Sequence, residues 1–221
     1  MPSLSQLLSA TLTAAAFTAV DAAMGPAFST GPVASNSFIR EASSTLVLPQ
    51  TVKGNNGDLS LWVGMGTSNG DLIQSIADKY QSSDWNVFAY TLLKTGDNSQ
   101  RPVQGKSAVA KAGDHVTMHY EYNDATRKYT QTVLLNGKTV STLTTSDGHA
   151  QGWGSAVECA ATDCGTVGAH SWIDTKIILD VADPNYKDTL GKGQGVTGDM
   201  TTADGGKTWT VSTIHVPQFT F

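Results

Sequence analysis

His115-Val116-Thr117-Met118-His119-Tyr120-Glu121-Tyr122 and, after a short polar break, Tyr129-Thr130-Gln131-Thr132-Val133-Leu134-Leu135-Asn136-Gly137-Lys138-Thr139-Val140 decide the fold. In the first run Val116, Met118, Tyr120 and Tyr122 share one phase, and His115, Thr117, His119 and Glu121 share the other. That period of two is the signature of a half-buried strand, with its histidines facing water or a groove. The second run is interrupted by Asn136-Gly137, whose two residues tolerate the positive φ of a tight hairpin turn. An antiparallel pair with one apolar face needs a second layer to cover it.

Outward from this hairpin, further β-favouring runs alternate with turn signals: Ser44 to Leu48, Leu59 to Val63, Asn86 to Leu93 and Thr139 to Thr144. The spacing fits an all-β fold, an antiparallel β-sandwich. Asp204-Gly205-Gly206 before Lys207-Thr208-Trp209-Thr210-Val211 predicts a second hairpin. Trp209 and Val211 alternate in one phase and Ile214 and Val216 in the other, which predicts a bulge near Ser212-Thr213. Asp71 to Tyr80 stays open, because Leu72, Ile76 and Tyr80 suit a helix and one face of a strand equally. No repeat of solenoid or propeller period is visible.

Composition agrees. Charged residues make up 15% of the 221-residue chain, while Gly, Ser and Thr abound, which favours short strands and tight turns over solvent-facing helices. A net charge of −5 without any Lys/Arg run gives no footprint for nucleic acid or an anionic membrane. The apolar stretch from Leu7 to Val20, followed by small residues to Ala22, reads as a signal peptide over 1–22. Residues 23–37, rich in Gly, Pro, Ser and Ala, then read as an extended or loosely docked N-terminal arm, and 38–221 as a single sandwich domain. A secreted, extracellular chain allows Cys159 and Cys164 to form a local disulfide, worth about 2 kcal/mol by loop entropy.

Nucleophile-elbow, zincin, phosphate-loop and dinucleotide motifs are all missing. His115 and His119 lie four apart on one strand face but read as solvated histidines, so neither a metal nor a cofactor is expected. Trp62, Trp85, Trp153 and Trp172 are candidates for a groove platform, although Trp is more often core.

Leu61-Trp62-Val63-Gly64-Met65-Gly66 followed by Leu72-Ile73-Gln74-Ser75-Ile76-Ala77-Asp78 resembles the Trp-Val-Gly and Leu-Gln-Thr-Gly segments of the glutamic peptidases, the eqolisins. The resemblance continues through Ala112-Gly113-Asp114-His115-Val116-Thr117-Met118, the hairpin at Asn136-Gly137 and Ala156-Val157-Glu158-Cys159, covering residues 38–216. It implies a lectin/glucanase-like jelly roll of two curved sheets, makes residues 71–80 a strand, and implies a secreted acid endopeptidase. Matched by motif, Glu158 is the general base on water and Gln74 the amide that stabilises the oxyanion, both without metal. Trp62, Tyr90 and Trp153 are assigned to substrate binding.

The chain departs from the family where Gly66 replaces an acid and Phe88-Ala89-Tyr90-Thr91 replaces Tyr-Glu-Trp-Tyr, which lowers the acidity implied for the cleft. Two alternatives therefore stay beside the peptidase. One is a carbohydrate-binding, non-catalytic module; the other is a lyase, isomerase or cyclase acting on a small molecule. The expected partner is a peptide, or else a glycan or small molecule, taken by a monomer.

Overall fold

The computed structural model describes residues 22–50, 57–80, 82–145, 148–160 and 163–221. The signal-peptide reading of 1–22 lies outside these residues apart from Ala22.

The strands are numbered in chain order. The front layer runs β15 (Gly191–Lys192), β2 (Phe28–Thr30), β12 (Ala150–Cys159), β4 (Leu59–Thr67), β5 (Leu72–Lys79), β6 (Trp85–Gly96) and β7 (Ser99–Gln104). Beside it, β1 (Ala23–Met24) pairs with β12 and β8 (Ala108–Ala110) with β6. The back layer runs β16 (Thr208–Val216), β14 (His170–Leu179), β3 (Ile39–Val47), β9 (His115–Asn123), β10 (Lys128–Leu135) and β11 (Lys138–Thr145). Ile39 of β3 pairs with Ala150 of β12, so both layers belong to one curved antiparallel sheet folded over its core. A ribbon of β13 (Thr166–Val167) and β17 (Phe219–Thr220) and a 3-10 turn at Tyr186–Thr189 complete the described elements.

The alternation read in β9 holds: Val116, Met118 and Tyr120 are fully buried, while His115 and Glu121 are exposed. Leu135 pairs with Lys138 across Asn136 and Gly137, whose φ values of 49° and 80° are those of the expected two-residue hairpin turn. Gly205 and Gly206 also take positive φ, but that turn closes on a single bridge, Thr201 to Thr210, and not on a full hairpin. The segment before it is Gly- and Asp-rich and offers no apolar alternation to pair.

The bulge is real and two-sided. On β16 the buried set switches from Trp209 and Val211 to Ile214 and Val216. On β14 it switches at the same level, from Thr175 and Ile177 to His170 and Trp172. Asp174, at φ 55°, sits at the switch, and both strands turn over together, which keeps Trp172, Ile177, Trp209, Val211, Ile214 and Val216 buried.

The segment before β3 is docked on the sheet at Phe28–Thr30 and makes a turn at Ser35-Asn36. Thr30, Ser29 and Phe28 pair with Trp153, Gly154 and Ser155 of β12. Phe28 is fully buried, edge-on to the Trp153 ring. An aromatic residue in the run from Gly25 to Val33 anchors what Gly and Pro content alone reads as loose.

Candidate functional site

Four neighbouring front strands, β12, β4, β5 and β6, carry the site on the face turned away from the main core. Alternation fixes which residues stand there. Leu61, Val63 and Met65 of β4 point into the core, so Ser60, Trp62 and Gly64 point out. Antiparallel register then lays these residues out in rows. Glu158, Ser60, Asp78 and Asn86 form one row; Ala156, Trp62, Ile76 and Phe88 form the next; Gly154, Gly64, Gln74 and Tyr90 form a third.

The middle row is apolar. Trp62, Ile76, Phe88 and Ala156 form a cluster separate from the main core, with Tyr90 and Ala27 packed against it. Phe88 and Tyr90 meet edge to face at 6.1 Å between ring centroids. The result is an aromatic strip across the sheet.

The acidic row holds two carboxyls, Glu158 and Asp78, and Asp58 acts on both from the end of β4. Glu158 Oε2 accepts a hydrogen bond from Trp62 Nε1 at 2.7 Å. Burial pushes the Glu158 carboxyl up, the Trp62 bond pulls it down, and the charge of Asp58 pushes it up again. Asp78 is pushed up to about 8, first by burial and then by a hydrogen bond and charge repulsion from Asp58, against a smaller opposing bond from Ser60. Ser60 Oγ stands 3.4 Å from Asp78 Oδ1. Two carboxyls that share a hydrogen bond hold one proton between them, so Asp78 is a neutral acid at pH values where an ordinary carboxyl is ionised. Tyr90, half-buried, has its phenol pushed up by burial and by the charges of Glu158 and Asp58.

In the third row Gln74 is 5% exposed, and its Oε1 has no hydrogen-bond partner among the described residues. The absence of a side chain at Gly64 is what admits it: a Cβ there would lie 2.9 Å from Gln74 Cβ and 2.7 Å from Ile73 O.

The residues assigned from sequence divide accordingly. Residues 72–79 are a strand, as the family resemblance implied. Trp62, Tyr90, Gln74 and Glu158 all lie on the same face. Gln74 and Glu158 are nevertheless four residues apart along the strands and two strands across, about 13 Å by about 10 Å at ordinary strand rise and spacing. Trp62 and Ile76 stand in the row between them. Trp153 does not belong to the site: it shares a phase with Ser155 and Val157, is 0% exposed, and packs in the main core. Trp85 and Trp172 are core as well. Asp58, Ser60 and Asp78 were not singled out; Asp78 is in phase with Gln74 and Ile76, and that alternation is the signal that finds it.

Cys159 and Cys164 form the expected disulfide, with Cα atoms 5.8 Å apart, immediately after Glu158. Among the described residues no group of three His, Cys, Asp or Glu side chains is arranged to hold a metal, and no helix is long and apolar enough to cross a membrane. His119 Nε2 lies 3.2 Å from Glu41 on the outer face of the back layer.

No family model and no curated protein sequence matches the chain. Among solved structures, scytalido-glutamic peptidase with a transition state analog inhibitor is similar, at TM-score 0.53 and 16% identity over 87% of this chain and 98% of that one. SCP-B, a member of the eqolisin family of peptidases in a complex with the tripeptide Ala-Ile-His, is similar at the same score, identity and coverage. The protein is thus a concanavalin-like β-sandwich, and at this identity the likeness is one of fold.

Proposed function

We propose that the chain is a secreted, monomeric, eqolisin-like hydrolase that takes an extended peptide across the front sheet, with Glu158 as general base and Asp78 as general acid. The observation that carries this reading is the row Glu158, Ser60, Asp78, in which two carboxyls face the same groove from strands two apart. Their Cα atoms are about 10 Å apart by strand spacing, leaving room over Ser60 for a carbonyl and an attacking water. Glu158, oriented by Trp62 Nε1, takes the proton of that water. Asp78, kept neutral by burial and then by Asp58, donates a hydrogen bond to the developing oxyanion and then a proton to the leaving amine.

Gln74 contributes to binding. Its unpartnered carbonyl accepts an N–H from the peptide backbone several residues away from the cleaved bond, beyond an apolar side chain seated on Trp62, Ile76 and Phe88. The fold likeness to an eqolisin peptidase in a complex with a tripeptide supports the peptide as substrate.

A glycan is the second reading. An aromatic strip beside two carboxyls with space between them for a water is also the arrangement of inverting glycoside hydrolysis.

Incubating the purified chain with an unfolded protein and, separately, with a panel of β-glycans, each with Asp78→Asn and Glu158→Gln as controls, tests both. Peptide cleavage lost in both variants upholds the first reading; glycan cleavage lost in both upholds the second. A folded wild type inert on both substrates contradicts the hydrolase.

A further inference from the structure

The front sheet is not held by its own ladder alone at the Gln74 row. Tyr120, fully buried on β9 of the back layer, reaches across the core and places its hydroxyl between two paired strands. Ser75 N donates to Tyr120 Oη at 2.8 Å, and Tyr120 Oη donates to Val63 O at 2.6 Å. Val63 and Ser75 are ladder partners, so the phenol bridges β4 and β5 directly beside Gly64 and Gln74.

Gln131, also fully buried, does the same one strand over. Its Nε2 donates to Tyr90 O at 3.0 Å and to Thr91 Oγ1 at 2.6 Å, and its Oε1 accepts from Ser75 Oγ at 3.3 Å. Tyr90 is the ladder partner of Gln74. The backbone on both sides of Gln74 is therefore held from behind by two buried polar side chains of one strand pair, since Gln131 and Tyr120 are themselves partners in β9 and β10.

Buried polar groups are costly unless satisfied, and a simple sandwich core needs none between its layers. A second bridge of the same kind serves as a comparison. Ala150 N donates to Tyr129 Oη at 3.0 Å and Tyr129 Oη donates to Ile39 O at 2.5 Å, where the two layers join. That bridge is structural, being far from the Gln74 row. The Tyr120 bridge instead meets the strand at the residue that follows Gln74.

The geometry points to Tyr120, seconded by Gln131, as a positioning residue: its bridging hydroxyl sets the height and orientation of the Gln74 amide over the groove, and through Gln74 the binding of substrate backbone. The binding consequence rests on the function proposed above; the positioning itself does not.

The test compares Tyr120→Phe with Tyr129→Phe. Each removes one bridging hydroxyl and keeps the ring, so their stability costs are similar. By amide NMR of the full chain, Tyr120→Phe shifts the Gln74 side-chain NH2 pair and the Ser75 amide, whereas Tyr129→Phe leaves Gln74 unmoved. If Tyr120→Phe does not fold, Gln131→Leu carries the same comparison. In a peptide-cleavage assay Tyr120→Phe raises KM by about fivefold, the worth of one hydrogen bond, with kcat within about twofold of wild type. Unchanged Gln74 signals in Tyr120→Phe, equal shifts in both tyrosine variants, or a fall in kcat at constant KM would overturn the assignment. A folded wild type that cleaves nothing removes the hydrolase reading, while the NMR comparison still decides the positioning role.

Discussion

Trp62 Nε1 donates to Glu158 Oε2 at 2.7 Å, joining the aromatic strip to the acidic row by one charge-assisted hydrogen bond. Trp62 and Ala156 are ladder partners, and Glu158 follows Ala156 by two residues on the same face. The indole therefore fixes the carboxylate from the neighbouring row.

Replacing Trp62 by Phe keeps most of the apolar strip but removes the donor. The bond to Trp62 is the one influence that lowers the Glu158 pKa against burial and Asp58, so the Glu158 carboxyl should titrate higher in the variant. Carboxyl NMR across pH 3 to 8 checks this; a Glu158 pKa equal to or below that of wild type would show that the bond does not stabilise the ionised form.

Asp78 makes stability depend on pH in a defined sense. Its pKa is about 8 in the folded protein against an ordinary value of 3.8. Between those values the folded state holds a proton that the unfolded state has released. Stability therefore falls as pH rises through this window, the loss growing until Asp78 itself ionises near pH 8. Asp78→Asn should flatten that decline, as read by thermal midpoints in a pH series. A wild type and variant with parallel profiles would contradict the raised pKa.

The arm is part of the fold. Phe28 is fully buried against Trp153, and truncating a buried Phe typically costs about 3–5 kcal/mol. Phe28→Ala should lower the free energy of unfolding read from urea titration by that amount, whereas Met24→Ala, at an exposed position, should change it by less than about 0.5 kcal/mol.

The disulfide closes a short loop directly after Glu158. Replacing Cys159 and Cys164 by Ser together should cost about 2 kcal/mol in denaturant unfolding. Reductant should lower the wild-type midpoint to that of the variant and leave the variant unchanged.

Much of this architecture is legible in local pattern. Strands β9, β10 and β11 and the Asn136-Gly137 turn follow from alternation and the conformational freedom of two residues. The paired bulge at Asp174 was visible only as a phase change between Val211 and Ile214, because its other half depends on a strand distant in sequence.

β5 shows where period fails. Its residues from Ile73 to Ala77 are buried on both faces, one by the core and the other by the aromatic strip, so alternation between polar and apolar is lost. Asp78, half-buried at the end of that run, is raised first by burial and then by Asp58, a pairing of separate strand ends that local pattern does not encode. Trp153 is a candidate for the groove by residue type alone; its phase, shared with Ser155 and Val157, sends it to the core. The distance between Gln74 and Glu158 is a matter of register across three strands, which motif order does not encode.

The most direct measurement of the central claim is the pH profile of peptide cleavage for wild type, Asp78→Asn and Glu158→Gln. The account predicts a bell for wild type, rising as Glu158 ionises above the usual carboxylate range and falling near pH 8 as Asp78 loses its proton. Both variants should fall by about 100-fold or more, as removal of a general acid or base does. Full activity in Glu158→Gln, or a wild-type profile that falls steadily from pH 2 upward, would contradict it.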